Sequence, residues 1–153
     1  MKIGPCIERV KAFFKKESEE DDDSDNFMED KSRRAKIKVA TDVNTTVEDL
    51  EKLARDKEFE VRLAVIHNAK VTPKILEILA NDVCYAVREA VARNPKIPPS
   101  KLLKLAKDKN YLVRKAVAEN PITPKEILII LYNDPAQSVR RVVEKILESQ
   151  KIS

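Results

Sequence analysis

Glycine occurs once in the 153 residues and tryptophan not at all. One glycine cannot build a glycine-rich phosphate loop. The two cysteines, Cys6 and Cys84, are too few for a disulfide framework or a four-thiolate metal site, and both are expected as reduced thiols. No apolar run approaches the roughly 18 residues that cross a bilayer. The opening MKIGPCIERVKAFFKK lacks the uninterrupted apolar core of a signal peptide. A single histidine, His67, falls in a column otherwise holding Thr41, Arg93, Glu119 and Lys145, which reads as solvated surface. Together these absences predict a soluble, cytoplasmic protein with no transmembrane segment, no metal, no cofactor and no catalytic machinery. It is not expected to be an enzyme.

What is present is charge and helix-forming character. Charged residues make up 37% of the chain and hydrophobic ones 42%, enough for a core. Strong helix formers such as Leu, Ala, Lys and Glu are plentiful, which favours helix. The net charge of +4 is unevenly placed. Residues 1–34 hold 8 Lys+Arg against 10 Asp+Glu, and the remaining 119 residues hold 22 against 16. A basic body carries an acidic leader.

The body is periodic. Asp30, Asp56, Asp82, Asp108 and Asp134 are each 26 residues apart, and six after each stands Lys36, Arg62, Arg88, Arg114 or Arg140. Val39, Val65, Val91, Val117 and Val143 follow three positions later, and Leu50, Leu76, Leu102 and Leu128 keep the same register. Such a period indicates stacked supersecondary units. Each unit reads as two helices. Thr72-Pro73 and Thr123-Pro124 place Thr at N-cap and Pro at N1, with Glu126 completing a capping box. That Thr-Pro lies one position early, which predicts a shorter turn and a helix one residue longer. The repeated Asp is expected to N-cap the second helix, most clearly at Asp134-Pro135, and Asn94-Pro95 and Asn120-Pro121 to end it. Lys38, in a column of alanines, and Ile146-Leu147, in place of Asn-Pro, mark the array ends.

The pattern VRKAVAENPITPKEILIILYND resembles the leucine-rich repeat variant family and, more broadly, HEAT-like helical repeats, over residues 30–148. The resemblance implies an all-α, right-handed α-solenoid (superhelix) of about five 26-residue two-helix repeats, with a curved surface that holds proteins or nucleic acids. It also implies a structural ladder between neighbouring units, carried by Asp56, Asp82, Asp108, Asp134 and Arg140 with the other arginines of their column. Some such proteins carry an N-terminal iron–sulfur module held by several cysteines. With Cys6 alone in the leader, none is expected here. The expected domains are a short amphipathic basic helix (1–16), an acidic flexible linker (17–29) and the repeat domain (30–153), with units starting at 30, 56, 82, 108 and 134.

The candidate partner-binding residues are Phe59, Arg62, Tyr85, Arg88, Tyr111, Arg114 and Lys115. An aromatic stands three before each of Arg62, Arg88 and Arg114, and residues three apart share a helix face. Arginine stacks on aromatics and forks onto carboxylate or phosphate, so a stripe of the two could grip a partner. The competing reading sets the arginines in the ladder and the aromatics over the seams. Lys96, Lys101, Lys104, Lys107 and Lys109 form a second basic patch, read as solvated surface. The predicted function is a protein-interaction scaffold, with nucleic-acid binding the alternative. Glu60, Glu89 and Glu119 interrupt the second helices and favour protein. The leader's Ile7, Val10, Phe13 and Phe14 would dock on the solenoid end, a partner or an anionic membrane surface. Nine acids within residues 17–30, beside the modifiable Ser18, would compete for the arginine-lined face.

Overall fold

A computed structural model describes residues 24–151 in backbone and 31–149 in side chain. The leader helix expected over 1–16 lies outside the described residues. Nine helices are described: α1 Ser24–Thr41, α2 Val47–Leu53, α3 Phe59–Ile66, α4 Pro73–Leu79, α5 Tyr85–Arg93, α6 Pro99–Leu105, α7 Tyr111–Glu119, α8 Lys125–Tyr132 and α9 Gln137–Lys151. No strand occurs among the described residues, so the fold is all-α. Helices open at Val47, Pro73, Pro99 and Lys125, and at Phe59, Tyr85, Tyr111 and Gln137, so both helices of the unit keep the 26-residue register. None of the described helices is long and apolar enough to cross a membrane.

The chain divides into two compact units, Met1–Ile75 and Leu76–Ser153, with the division inside α4. In the first, α1 packs on α2 and α3, and α2 on α3. In the second, α5 packs on α6 and α7, α7 on α6, α8 and α9, and α8 on α9. Helices of alternate rank thus stack side by side within a unit, a helical-repeat packing pattern. The apolar columns form the core: Val61, Val87, Val113 and Val139 are buried, as are Leu50, Leu76, Leu102 and Leu128. Burying such a side chain stabilises by about 1.5–3 kcal/mol. Val39 departs from its column. It is 48% exposed, where Val65, Val91, Val117 and Val143 are fully buried. Beside it Ala40, in the column of Ile66, Ala92 and Ala118, keeps the core contact.

The helix starts differ in detail from expectation. The repeated aspartates stand two residues ahead of the N-caps, which are Glu58, Cys84 and Asn110 in extended backbone. Each carboxylate instead accepts the amide two residues on: Asp56 from Glu58 at 2.9 Å, Asp82 from Cys84, Asp108 from Asn110 and Asp134 from Ala136, all three at 2.8 Å. This Asx turn leaves the rest of the carboxylate facing away from its own helix. Pro135 accordingly lies in a turn, and α9 opens at Gln137.

Thr72 does cap α4, accepting from the Ile75 amide at 3.3 Å. Thr123 does not cap α8. Its hydroxyl donates to the Val117 carbonyl at 2.5 Å, as Thr45 does to Val39, while Pro124 takes the N-cap position. The extra residue of α8 is therefore at its C-terminal end, Tyr132. Helix α1 opens at Ser24, inside the stretch expected as a linker. Asp and Glu near a helix start interact favourably with its positive end, so acidity alone does not forbid helix there. Cys84, expected as a reduced thiol, is buried and disulfide-bonded, its partner lying outside the described residues.

Candidate interaction surface

The second unit presents one face of three neighbouring helices, α5, α7 and α9. Because residues four apart share a helix face, three columns fall in line. Tyr85, Tyr111 and Gln137 form the first row, Glu89, Lys115 and Arg141 the second, and Arg93, Glu119 and Lys145 the third.

The two tyrosines sit together. Burial raises the Tyr85 phenol above its ordinary value, reinforced by the Glu89 carboxylate and by the Tyr111 phenol beside it. Tyr111 is 47% exposed and Tyr85 half-buried. Below them runs a mixed-charge network. Arg93 donates to Glu89 at 2.9 Å and to Glu119 on the next helix, and Lys115 pairs with Glu119 at 3.6 Å. Burial pulls the Arg93 guanidinium down, but both carboxylates outweigh it and raise the group above its usual value.

The arginines expected beside the aromatics are turned inward. Arg88 clasps Asp108 with two parallel bonds, Nε to Oδ2 at 2.7 Å and Nη2 to Oδ1 at 3.0 Å. Arg114 clasps Asp134 in the same way at 2.6 and 2.9 Å. In each case Nη1 donates to the carbonyl six residues back, Asp82 or Asp108, at 2.7 Å. Arg88 is only 7% exposed. Burial raises the Asp108 and Asp134 carboxyls, but the arginine bonds, the turn amides and the nearby cations together hold both below the ordinary carboxylate range. Bidentate charge-assisted bonds of this kind are among the strongest a protein makes.

In the first unit Lys36 takes the arginine's place, donating to Asp56 at 2.8 Å. Arg62 is buried with Nη1 on the Asp56 and Lys57 carbonyls, and Phe59 is 5% exposed. The predicted stripe is therefore not a continuous surface. Phe59, Arg62 and Arg88 are interior, the fork of Arg114 is engaged, and Tyr85, Tyr111 and Lys115 remain reachable.

A second ladder runs through the asparagine column, in which Asn94 and Asn120 are expected only as helix stops. Asn120 donates through Nδ2 to the Ala92 carbonyl at 2.6 Å and the Asn94 carbonyl at 3.1 Å, and accepts the Ile122 amide at 3.0 Å. Asn68 does the same in the first unit, to Ala40 and Asp42 at 2.8 and 3.0 Å. The signal was available: Asn68, Asn94 and Asn120 recur at 26 residues.

Of the predicted lysine patch, Lys101 pairs with Glu77 at 3.6 Å and Lys104 bonds the Asn81 side chain. Among the described residues no group of three or more His, Cys, Asp or Glu is arranged to hold a metal. One open groove of about 440 Å³ lies between α8 and α9, floored by Ile129, Tyr132 and Leu147 and rimmed by Lys125, Glu144 and Glu148.

No family model, curated protein or solved structure matches the chain. The helical-repeat packing rests on the structure and its 26-residue register.

Proposed function

We propose that the protein is a non-catalytic helical-repeat scaffold of the leucine-rich repeat variant or HEAT-like kind, binding a protein partner across α5 and α7. The observation that carries this is the reachable Tyr85–Tyr111 pair beside the network of Glu89, Arg93, Lys115 and Glu119. Tyrosines supply large contact area with a polar tip, and interfaces centre on such residues. A face of alternating charge also suits a protein better than a polyanion. Arg93 is neutralised by two carboxylates, and Lys115 faces one of them. Phosphate tracking needs cations gathered on one side. In this reading Arg88 and Arg114 are structural, so an acidic leader segment finds no open guanidinium at those two positions.

The test compares full-length protein with a Tyr85→Ser/Tyr111→Ser variant. A photocrosslinker at position 115 should capture discrete partners with the parent and lose them with the variant, at unchanged helicity. Fluorescent single-stranded and duplex oligonucleotides, titrated across a salt series, test the alternative. Tight, steeply salt-dependent binding that survives the double substitution would replace the protein-scaffold reading with nucleic-acid binding.

A further inference from the structure

We infer that the outward face of α6 and α8 is a docking surface for an anionic lipid bilayer. On α6 the buried residues are Leu102, Leu105 and the following Ala106, while Leu103, Lys104 and Lys107 are exposed on the other side. The Ala106 amide donates to the Leu102 carbonyl at 2.8 Å and the Lys107 amide to the Lys104 carbonyl at 3.1 Å, so the helical turn carries through position 107. Leu103 is 42% exposed although α7, α8 and α9 all follow it in the chain. Its exposure is therefore not an effect of where the array stops. Ile129 and Ile130 stand in the columns of Leu103 and Lys104 one repeat on, and both are exposed beside the buried Leu128 and Leu131. Packing does not call for an aliphatic side chain there. The column of Leu103 and Ile129 holds Glu51 and Glu77 in the other repeats.

The charges on this face are largely of one sign. Lys101 is paired with Glu77 at 3.6 Å, but Lys104 bonds the neutral Asn81 side chain, and Lys107 and Lys125 meet no carboxylate among the described residues. Glu126 is the one acid on α6 and α8. The α5–α7 face has no such excess, since Arg93 and Lys115 are matched there to Glu89 and Glu119. The cations are all lysine. Between residues 94 and 139 the single arginine, Arg114, is engaged in its rung. A guanidinium forks onto one carboxylate, whereas an ammonium on a flexible stem needs no fixed partner geometry. Lysine stems also lie along apolar surface while their heads reach for charge. Aliphatic side chains flanked by such lysines match the boundary between acyl chains and anionic headgroups, where apolar insertion and charge attraction add.

This surface is separate from the α5–α7 face, so the two can fail independently. The experiment floats full-length protein with vesicles of phosphatidylcholine alone, or with about one-third phosphatidylserine, across a salt series. The protein should rise with the anionic vesicles only, and less so as salt screens the headgroups. Lys104→Gln/Lys107→Gln should weaken partitioning by about tenfold or more, since two cations near the surface are lost. Leu103→Gln, a polar side chain such as the column accepts at Glu77, should weaken it about fivefold at unchanged helicity. Tyr85→Ser/Tyr111→Ser should leave it unchanged. Failure to float with anionic vesicles at low salt overturns the inference. So does binding that survives the lysine substitutions, full partitioning in Leu103→Gln, or equal binding to the neutral vesicles. Vesicles left bare while a duplex oligonucleotide binds, and is lost in the lysine variant, would assign the patch to nucleic acid. Self-association that Leu103→Gln removes would make a second copy the occupant. Either result overturns the assignment to a bilayer.

Discussion

The first and second units build the same rung from different cations. Lys36 reaches Asp56 with one bond, its side chain 38% exposed and the carboxylate 11%. Arg88 and Asp108 meet through two bonds at 8% and 9% exposure. The interval is 20 residues in both. A lysine is a strongly hydrated point charge on a flexible stem, whereas a guanidinium is a planar fork matched to a carboxylate. The column therefore does two jobs. Where the arginine can anchor on a carbonyl and enter the interior, the rung is a fixed part of the fold. Where lysine stands at the surface, it is an ion pair that water can replace.

The largest effect should come from opening a buried rung. Arg88→Ala leaves the Asp108 carboxylate buried without its partner and should destabilise by about 3–5 kcal/mol, read from urea unfolding. Replacing both members, as Arg88→Met with Asp108→Leu, should recover most of that loss. A double variant as unstable as the single would mean that the arginine's carbonyl bonds, not the pair, hold the rung. Asn120→Ala comes next. It strips donors from the Ala92 and Asn94 carbonyls and should lower stability by about 1–3 kcal/mol in the same assay.

Acid should act on the same rungs. Asp108 and Asp134 have folded values below their unfolded ones, so their contribution is complete above the unfolded value of about 3.9 and disappears as pH falls through the folded values. The urea midpoint should fall below about pH 4, and less steeply in Arg88→Ala. A midpoint equally acid-sensitive in parent and variant would remove the Arg88 rung from the explanation.

On the surface side of the comparison, Lys36→Ala should lower stability by no more than about 1 kcal/mol, because the pair is part-exposed and screened. Lys36→Arg tests whether position or residue type makes the difference. A bidentate pair there should raise the melting temperature by a few degrees, and no change would show that burial decides. The smallest effect belongs to Tyr111→Ser, expected within about 0.5 kcal/mol of the parent in stability.

Much of the scaffold was legible in the sequence because its signals are periodic and local. The 26-residue register holds at every helix start from α2 onward, and Asn94 and Asn120 end their helices as the following prolines require. What escaped depends on which way a side chain turns. The residue types of the aspartate column allow either an N-cap or an Asx turn, and the structure adds what the spacing alone does not show: a cation 20 residues earlier, Lys36, Arg88 or Arg114, that takes up the rest of the carboxylate. Arg88 and Tyr85 share a helix face by spacing, yet one is drawn inward by Asp108 and the other stays at the surface. The asparagine ladder is hidden because at Asn94 and Asn120 the following proline already explains the residue, and Asn68 has no such neighbour.

The constant interval from cation to aspartate sets how such a chain can change length. Adding one residue between Arg88 and Asp108 would move the carboxylate off its fork unless a turn bulged to absorb it. Adding or removing 26 residues preserves every rung, every asparagine bridge and every helix start. The array can thus lengthen or shorten in whole units, and its inventory of viable sizes is discrete.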